Sequence, residues 1–170
     1  DLHSFPTRRS SDLVAPLAVL YLLGSCYALG RWISQEANAI SAMLLGAGIW
    51  SLVLWGALHF PVNYWWVYAA AFAVPYALWR PSFVPPVIEG RNWPLALLLG
   101  LLGANLLAAL KPEISADGLS MHLALPAAVA RQGWWAFDQR AEVWSLMPAG
   151  ADALFTGVYL LGGEYAAKLL

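Results

Sequence analysis

Charged residues are scarce in this sequence, and their scarcity excludes most kinds of soluble domain. Asp, Glu, Lys and Arg make up 11% of the 170 residues, and 61% of the residues are hydrophobic. About a quarter of a soluble domain is normally charged. The formal net charge is −1 and Lys and Arg form no basic stripe, so we expect no nucleic-acid partner. The composition predicts an integral membrane protein.

Cysteine and the common catalytic motifs are also nearly absent. Cys26 is the single cysteine and lies inside an apolar run, which excludes a disulfide framework and a thiolate metal site and favours a small buried side chain. The sequence has no Walker motif, no G-x-S-x-G and no H-E-x-x-H. Nothing therefore indicates a nucleotide-binding loop, a serine-hydrolase nucleophile or a zinc-protease helix.

The first and last residues have an unusual character. The opening "DLHSFPTRRSSDL" resembles the translation of a sequencing-library adapter, so we expect residues 1–13 to lie outside the fold. The sequence stops inside the apolar run "EYAAKLL". We therefore expect a fragment of a longer membrane protein.

Long apolar runs dominate the rest of the chain. A membrane-spanning helix needs about 20 mostly apolar residues, and period-two alternation typical of barrel strands is absent. The fold class is therefore predicted to be an all-α, polytopic membrane helix bundle. The predicted elements are four complete spans within residues 14–110 (14–33, 39–60, 64–79 and 92–110), a loop over 111–152 and a truncated fifth span over 153–170.

Arginines set the predicted orientation. Arg31 lies in the first link, Arg80 and Arg91 lie in the third, and the second link has no Lys or Arg. The positive-inside rule places the first and third links in the cytoplasm. The second link and the loop over 111–152 are then predicted to be extracytoplasmic.

That loop collects most of the remaining ionisable residues and is the predicted functional segment. The stretch "DGLSMHLALPAAVARQG" predicts a short interfacial helix that begins at Ser115 or Asp117 and ends at Gly133. Pro126 is expected to kink it near His122.

Asp117, Glu113 and His122 are the candidate catalytic residues. From spacing alone, a helix-capping role for Asp117 is at least as well supported as catalysis. Five helical residues turn through about 140°, so Asp117 and His122 share a face only if Asp117 is at a non-helical cap. Asp117 and Glu113 could hold a divalent cation, although two carboxylates are a weak metal signal.

Other loop residues suit a phosphate or a sugar. Lys111, Arg131 and Arg140 could bind a phosphate or could be interfacial charges that reach toward water. Trp134 and Trp135 could stack on a sugar ring or belong to an interfacial aromatic belt.

These features together resemble a family. An Asp after a hydrophobic span, then "MHLALP", an aromatic patch, "WSLMPAGADAL" and "LLGGEYAAKLL" are similar to bacterial GT-C-type polytopic glycosyltransferases, in the group of protein O-mannosyltransferases and aminoarabinose transferases. The resemblance covers roughly residues 93–170. It implies a multi-pass protein of the bacterial inner membrane that takes a sugar from a polyprenyl-phosphate-linked donor. It also implies that Asp117 is the catalytic carboxylate, which acts on the acceptor hydroxyl or helps to bind a divalent cation.

Two other functions remain open from the residues. A lipid or sugar transporter or flippase is favoured if an ionisable residue lies well inside the bilayer; Glu164 and Lys168 in the fifth span keep that alternative open. A non-enzymatic membrane assembly subunit is favoured if Asp117 is only a helix cap.

Overall fold

The computed structural model describes residues 13–79, 100, 101, 103, 104, 107, 122–136 and 150–170. Within these residues the chain is helical and contains no strand. Helices α1 (Val14–Ile33) and α2 (Ala39–Leu58) are followed by α3 (Trp65–Leu78), α4 (Ala124–Gln132) and α5 (Gly150–Leu169). The predicted all-α class is confirmed for this part of the chain.

Two helices are long and apolar enough to cross a membrane. Both α1 and α2 have 20 residues, and each contains at most two charged residues in its apolar window. At 1.5 Å per residue they are about 30 Å long, which is the thickness of a bilayer's hydrocarbon core. The third predicted span is α3, which has only 14 residues and reaches about 21 Å. Four complete spans are therefore not supported by the described residues, and most of the predicted fourth span lies outside them.

Helices α1 and α2 pack closely because glycines face backbone across their interface. A Cβ on Gly30 would collide with the carbonyl of Ala42, and a Cβ on Gly46 would collide with the carbonyl of Cys26. Small residues that allow backbones to approach are the usual means by which membrane helices associate. A buried hydrogen bond supports the same interface, since Trp50 Nε1 donates to Ser25 Oγ at 3.1 Å.

Large apolar side chains remain exposed on the outer faces of these helices. On α2, Ile40, Leu44 and Leu52 are each more than two-thirds exposed. Leu17 and Leu20 are exposed on α1. An exposed apolar face of this extent is unfavourable in water, whereas lipid covers it without cost.

Asn63 joins the α2–α3 link to the end of α4. Its Nδ2 group lies 2.8 to 3.0 Å from the carbonyl oxygens of Ala57, Phe60 and Gly133, and the Tyr68 hydroxyl donates to its Oδ1. Two backbone hydrogen bonds run alongside, from Asn63 N to Gly133 O and from Trp135 N to Leu58 O. The link that the arginine pattern places on the extracytoplasmic face is therefore in contact with Gly133 and Trp135, in the middle of the loop predicted over 111–152. We use the name Asn63 end for the end of the bundle at which α1 begins, α2 ends and α3 begins.

Asn63→Leu is expected to destabilise the fold by about 2–4 kcal/mol, because a buried hydroxyl and several carbonyls lose their partner. Asn38 is the matched control, since its side chain is exposed and accepts one cap hydrogen bond from Ser41 N at the start of α2. Asn38→Ala should cost about 1 kcal/mol. Unfolding in detergent micelles measures both, and an Asn63→Leu cost no larger than the Asn38→Ala cost would contradict this role.

Candidate functional site

Half of the predicted site residues lie outside the described part of the chain. Lys111, Glu113, Asp117 and Arg140 belong to that group, so their predicted roles stay predictions. His122, Arg131, Trp134 and Trp135 are described, and they do not form one cluster.

The described helix α4 begins at Ala124, and the predicted helix start at Ser115 or Asp117 lies outside the described residues. The N-cap of α4 is Leu123, which makes no side-chain cap hydrogen bond. Pro126 lies in the first turn of α4, where its missing N–H leaves no hydrogen bond of that helix unmade. The predicted kink near His122 involves residues before 122, which lie outside the described part of the chain. Gly133 ends the helix as predicted, in the left-handed conformation with φ 77°.

His122 pairs with Asp152, a residue thirty positions away. Nδ1 of His122 lies 3.0 Å from Oδ1 of Asp152, and the two side chains are 57% and 22% exposed. An ionised carboxylate can only accept, so the imidazole Nδ1–H donates to it, and in the neutral imidazole Nε2 then carries the lone pair. The Phe155 ring packs edge to face against the imidazole and holds it from a second side. The two ring centroids are 6.0 Å apart and the ring planes meet at 84°. The geometry is that of an oriented histidine able to accept a proton at Nε2.

The pair lies alongside the apolar length of α2 rather than beyond its end. A Cβ on Gly150 would lie 3.8 Å from Ser51 Cβ, so α5 begins beside Ser51. Ser51 comes seven residues before Leu58, about 10 Å along the helix axis from the Asn63 end. Asp152 is in the first turn of α5. In membrane proteins, a titratable pair beside the apolar length of a spanning helix is by default a candidate functional site.

Helix α5 differs in direction and in continuity from a simple fifth span. From Ser51 it approaches the first turn of α1, where a Cβ on Gly162 would crowd Ala15 and Ala18. A span entering from the Asn63 end would instead begin there. At Gly163 the helix is interrupted, with φ 73° and ψ −165°, a conformation that glycine alone adopts readily.

The two tryptophans have separate environments. Trp135 is buried, and its ring stacks on His59 with centroids 5.8 Å apart. His59 also meets the edge of Trp55, 5.0 Å away. Trp134 is exposed, so it is the tryptophan of the pair with an accessible ring face.

Arg131 lies at the opposite end of α4 from His122. It is exposed, and both its guanidinium and the Glu164 carboxylate act electrostatically on the Tyr159 hydroxyl. Arg131 and Glu164 each have interaction partners. Any phosphate held by Arg131 would therefore be bound near the end of α4 and not beside Nε2 of His122.

Within the described residues, no three His, Cys, Asp or Glu side chains are grouped to hold a metal ion. His122 and Asp152 supply two ligands at most. The predicted pair of Asp117 and Glu113 lies outside this part of the chain, so the divalent cation stays a prediction.

Sequence reasoning missed Asp152 as a site residue. The sequence shows only an acidic residue in the first turn of a helix, which the helix dipole explains without any function. Its pairing with His122 depends on α4 packing against α5, and spacing along the chain carries no signal of that contact. No protein-family model, no curated protein and no solved structure matches the chain.

Proposed function

We propose that the chain belongs to an integral membrane glycosyltransferase of the GT-C type, which transfers a sugar from a polyprenyl-phosphate-linked donor to an extracytoplasmic hydroxyl. The observation that carries the proposal is the His122–Asp152 pair, a proton-accepting group beside helices with exposed apolar faces. The reaction needs both parts, since the lipid tail of the donor requires an apolar surface and the acceptor hydroxyl must lose a proton. The sequence resemblance supplies the choice of glycosyl transfer among reactions of this kind.

In this proposal the loop over 111–152 supplies the polar groups. Asp117 is the catalytic carboxylate, with Glu113 and His122 as further catalytic candidates. Lys111, Arg131 and Arg140 are the candidates for the donor phosphate, and Trp134 is the accessible ring for a sugar. A divalent cation held by Asp117 and Glu113 would neutralise the departing phosphate.

The proposed setting is the bacterial inner membrane. The proposed arrangement has four spans over residues 14–110, a further helix over 153–170 and the site on the extracytoplasmic face. Two helices of sufficient length, α1 and α2, support membrane insertion. The partners would be membrane lipid and the polyprenyl-phosphate sugar.

A transporter or flippase is the second candidate, and two observations favour it. The His122–Asp152 pair lies beside the apolar length of α2, and α5 is interrupted at Gly163 next to Glu164. Ionisable residues at membrane depth and broken helices are both features of substrate and ion pathways.

An assay in sealed proteoliposomes separates the two functions. The protein from its complete reading frame is reconstituted with a polyprenyl-phosphate hexose labelled in the sugar, and a serine/threonine peptide and a hydroxylated glycolipid are offered as acceptors. Glycosyl transfer moves the label onto an acceptor. A flippase moves the intact donor between leaflets without breaking the sugar–phosphate bond. If neither event occurs, both functions are contradicted and an assembly subunit is favoured.

A further inference from the structure

The orientation of His122 suggests where the proton of the acceptor goes. Because Nδ1–H donates to Asp152 Oδ1 at 3.0 Å, the Nε2 lone pair points away from the carboxylate, and more than half of the side chain is exposed. No described residue hydrogen-bonds to Nε2. Among the described residues, the imidazole is therefore held at Nδ1 and not at Nε2.

Three contacts hold the pair in place. The Phe155 ring meets the imidazole edge to face, and α4 packs against α5 over its length. Thr156 Oγ1 donates to the Asp152 backbone carbonyl at 2.8 Å, which closes the first turn of α5. Asp152 is less exposed than His122, so it is the partner that fixes the orientation of the more exposed imidazole.

We propose that His122 is the general base of the transfer reaction and that Asp152 is its positioning residue; this assignment rests on the proposed function. The acceptor hydroxyl gives its proton to Nε2 of His122 as its oxygen bonds to the anomeric carbon of the sugar. The bond between that carbon and the phosphate oxygen breaks, and its electron pair leaves with polyprenyl phosphate.

The choice of His122 over a lone carboxylate follows from its chemistry. Histidine is the side chain that exchanges a proton between about pH 5 and 8, and a carboxylate on Nδ1 fixes its tautomer and stabilises the imidazolium that forms. The charged groups facing His122 from α5 are limited, among the described residues, to Asp152. The other charged residues of α4 and α5 (Arg131, Glu164 and Lys168) lie toward the opposite ends of their helices.

The test compares the wild type with His122→Gln, Asp152→Asn and Asp152→Glu, all expressed from the complete reading frame. Transfer from the labelled polyprenyl-phosphate hexose is measured from pH 5 to 9. Wild-type transfer should fall on acidification, because a protonated imidazole cannot accept the hydroxyl proton. His122→Gln should lower kcat by about 100- to 10,000-fold, leave KM nearly unchanged and remove the acid limb. Asp152→Asn should lower kcat in the same range, and Asp152→Glu should restore part of it.

A second measurement reports the tautomer without activity. In ¹⁵N-histidine spectra, His122 is assigned as the signal lost in His122→Gln, and it should carry its proton on Nδ1 in the wild type and move toward Nε2 in Asp152→Asn. The assignment is overturned if His122→Gln keeps wild-type kcat and the acid limb, or if Asp152→Asn changes neither tautomer nor kcat. If the wild type transfers no sugar at any pH, the proposed function itself fails and the assignment fails with it. Transfer by the wild type with no loss in His122→Gln removes the assignment alone.

Discussion

Asp117→Asn is expected to lower the rate of sugar transfer by about 100- to 10,000-fold while leaving the protein folded. The amide has nearly the shape of the carboxylate but cannot be ionised, so it can neither hold a cation nor stabilise positive charge. KM for the donor should change little if Asp117 acts mainly in the transition state. Initial rates with the labelled polyprenyl-phosphate hexose measure the effect.

Two matched variants make that result specific. Glu36→Gln removes an exposed carboxylate from the first link, on the face predicted to be cytoplasmic, and should leave transfer unchanged. Glu113→Gln distinguishes a cation site shared by Asp117 and Glu113 from a role of the Asp117 carboxylate alone. If Asp117 and Glu113 bind one cation, both variants should be rescued in part by raising the Mg²⁺ or Mn²⁺ concentration. Undiminished transfer by Asp117→Asn would show that Asp117 is only a cap.

Gly46→Ala is expected to destabilise the helix pair by about 1–3 kcal/mol, the usual cost of overpacking a well-filled interface. The added methyl group would overlap the Cys26 carbonyl, which is part of the α1 backbone and cannot rotate away. The helices must therefore separate, and the buried hydrogen bond from Trp50 to Ser25 would lengthen with them.

The control for this variant lies two residues away on the same helix. A Cβ on Gly48 meets nothing within 4 Å, so Gly48→Ala should leave the packing intact. It should stabilise α2 by up to about 1 kcal/mol, since alanine favours a helix over glycine. Reversible unfolding in mixed micelles measures both variants. Equal effects of the two substitutions would contradict the close approach of α1 and α2.

The parts of the fold that depend on local sequence could be predicted. The bounds of α1 agree with the apolar run from Val14 to Ile33, because a long run whose only charge is Arg31 in its last turn fixes a helix by composition alone. The end of α4 agrees at Gly133, because that residue can adopt a positive φ at low cost. The start of α4 at Ala124 has no local signal beyond Pro126, because no side chain caps it, and the predicted start at Ser115 or Asp117 lies outside the described residues.

The features that depend on tertiary contact escaped prediction. Asp152 reaches His122 across thirty residues, and Asn63 reaches Gly133 across seventy. Neither pair has a spacing signature, since each is made by the packing of separate helices. The course of α5 from Ser51 toward the first turn of α1 also escaped, because hydropathy identifies an apolar run but not its direction or the interruption at Gly163.

The measurement that tests the central claim most directly is the stoichiometry of the reaction in proteoliposomes. The protein from its complete reading frame is supplied with polyprenyl-phosphate hexose and a hydroxyl acceptor, and both products are quantified over time. The proposed function predicts one polyprenyl phosphate released for each sugar transferred to the acceptor. Asp117→Asn and His122→Gln should each lower the formation of both products. Movement of intact donor across the membrane with no polyprenyl phosphate released would contradict it.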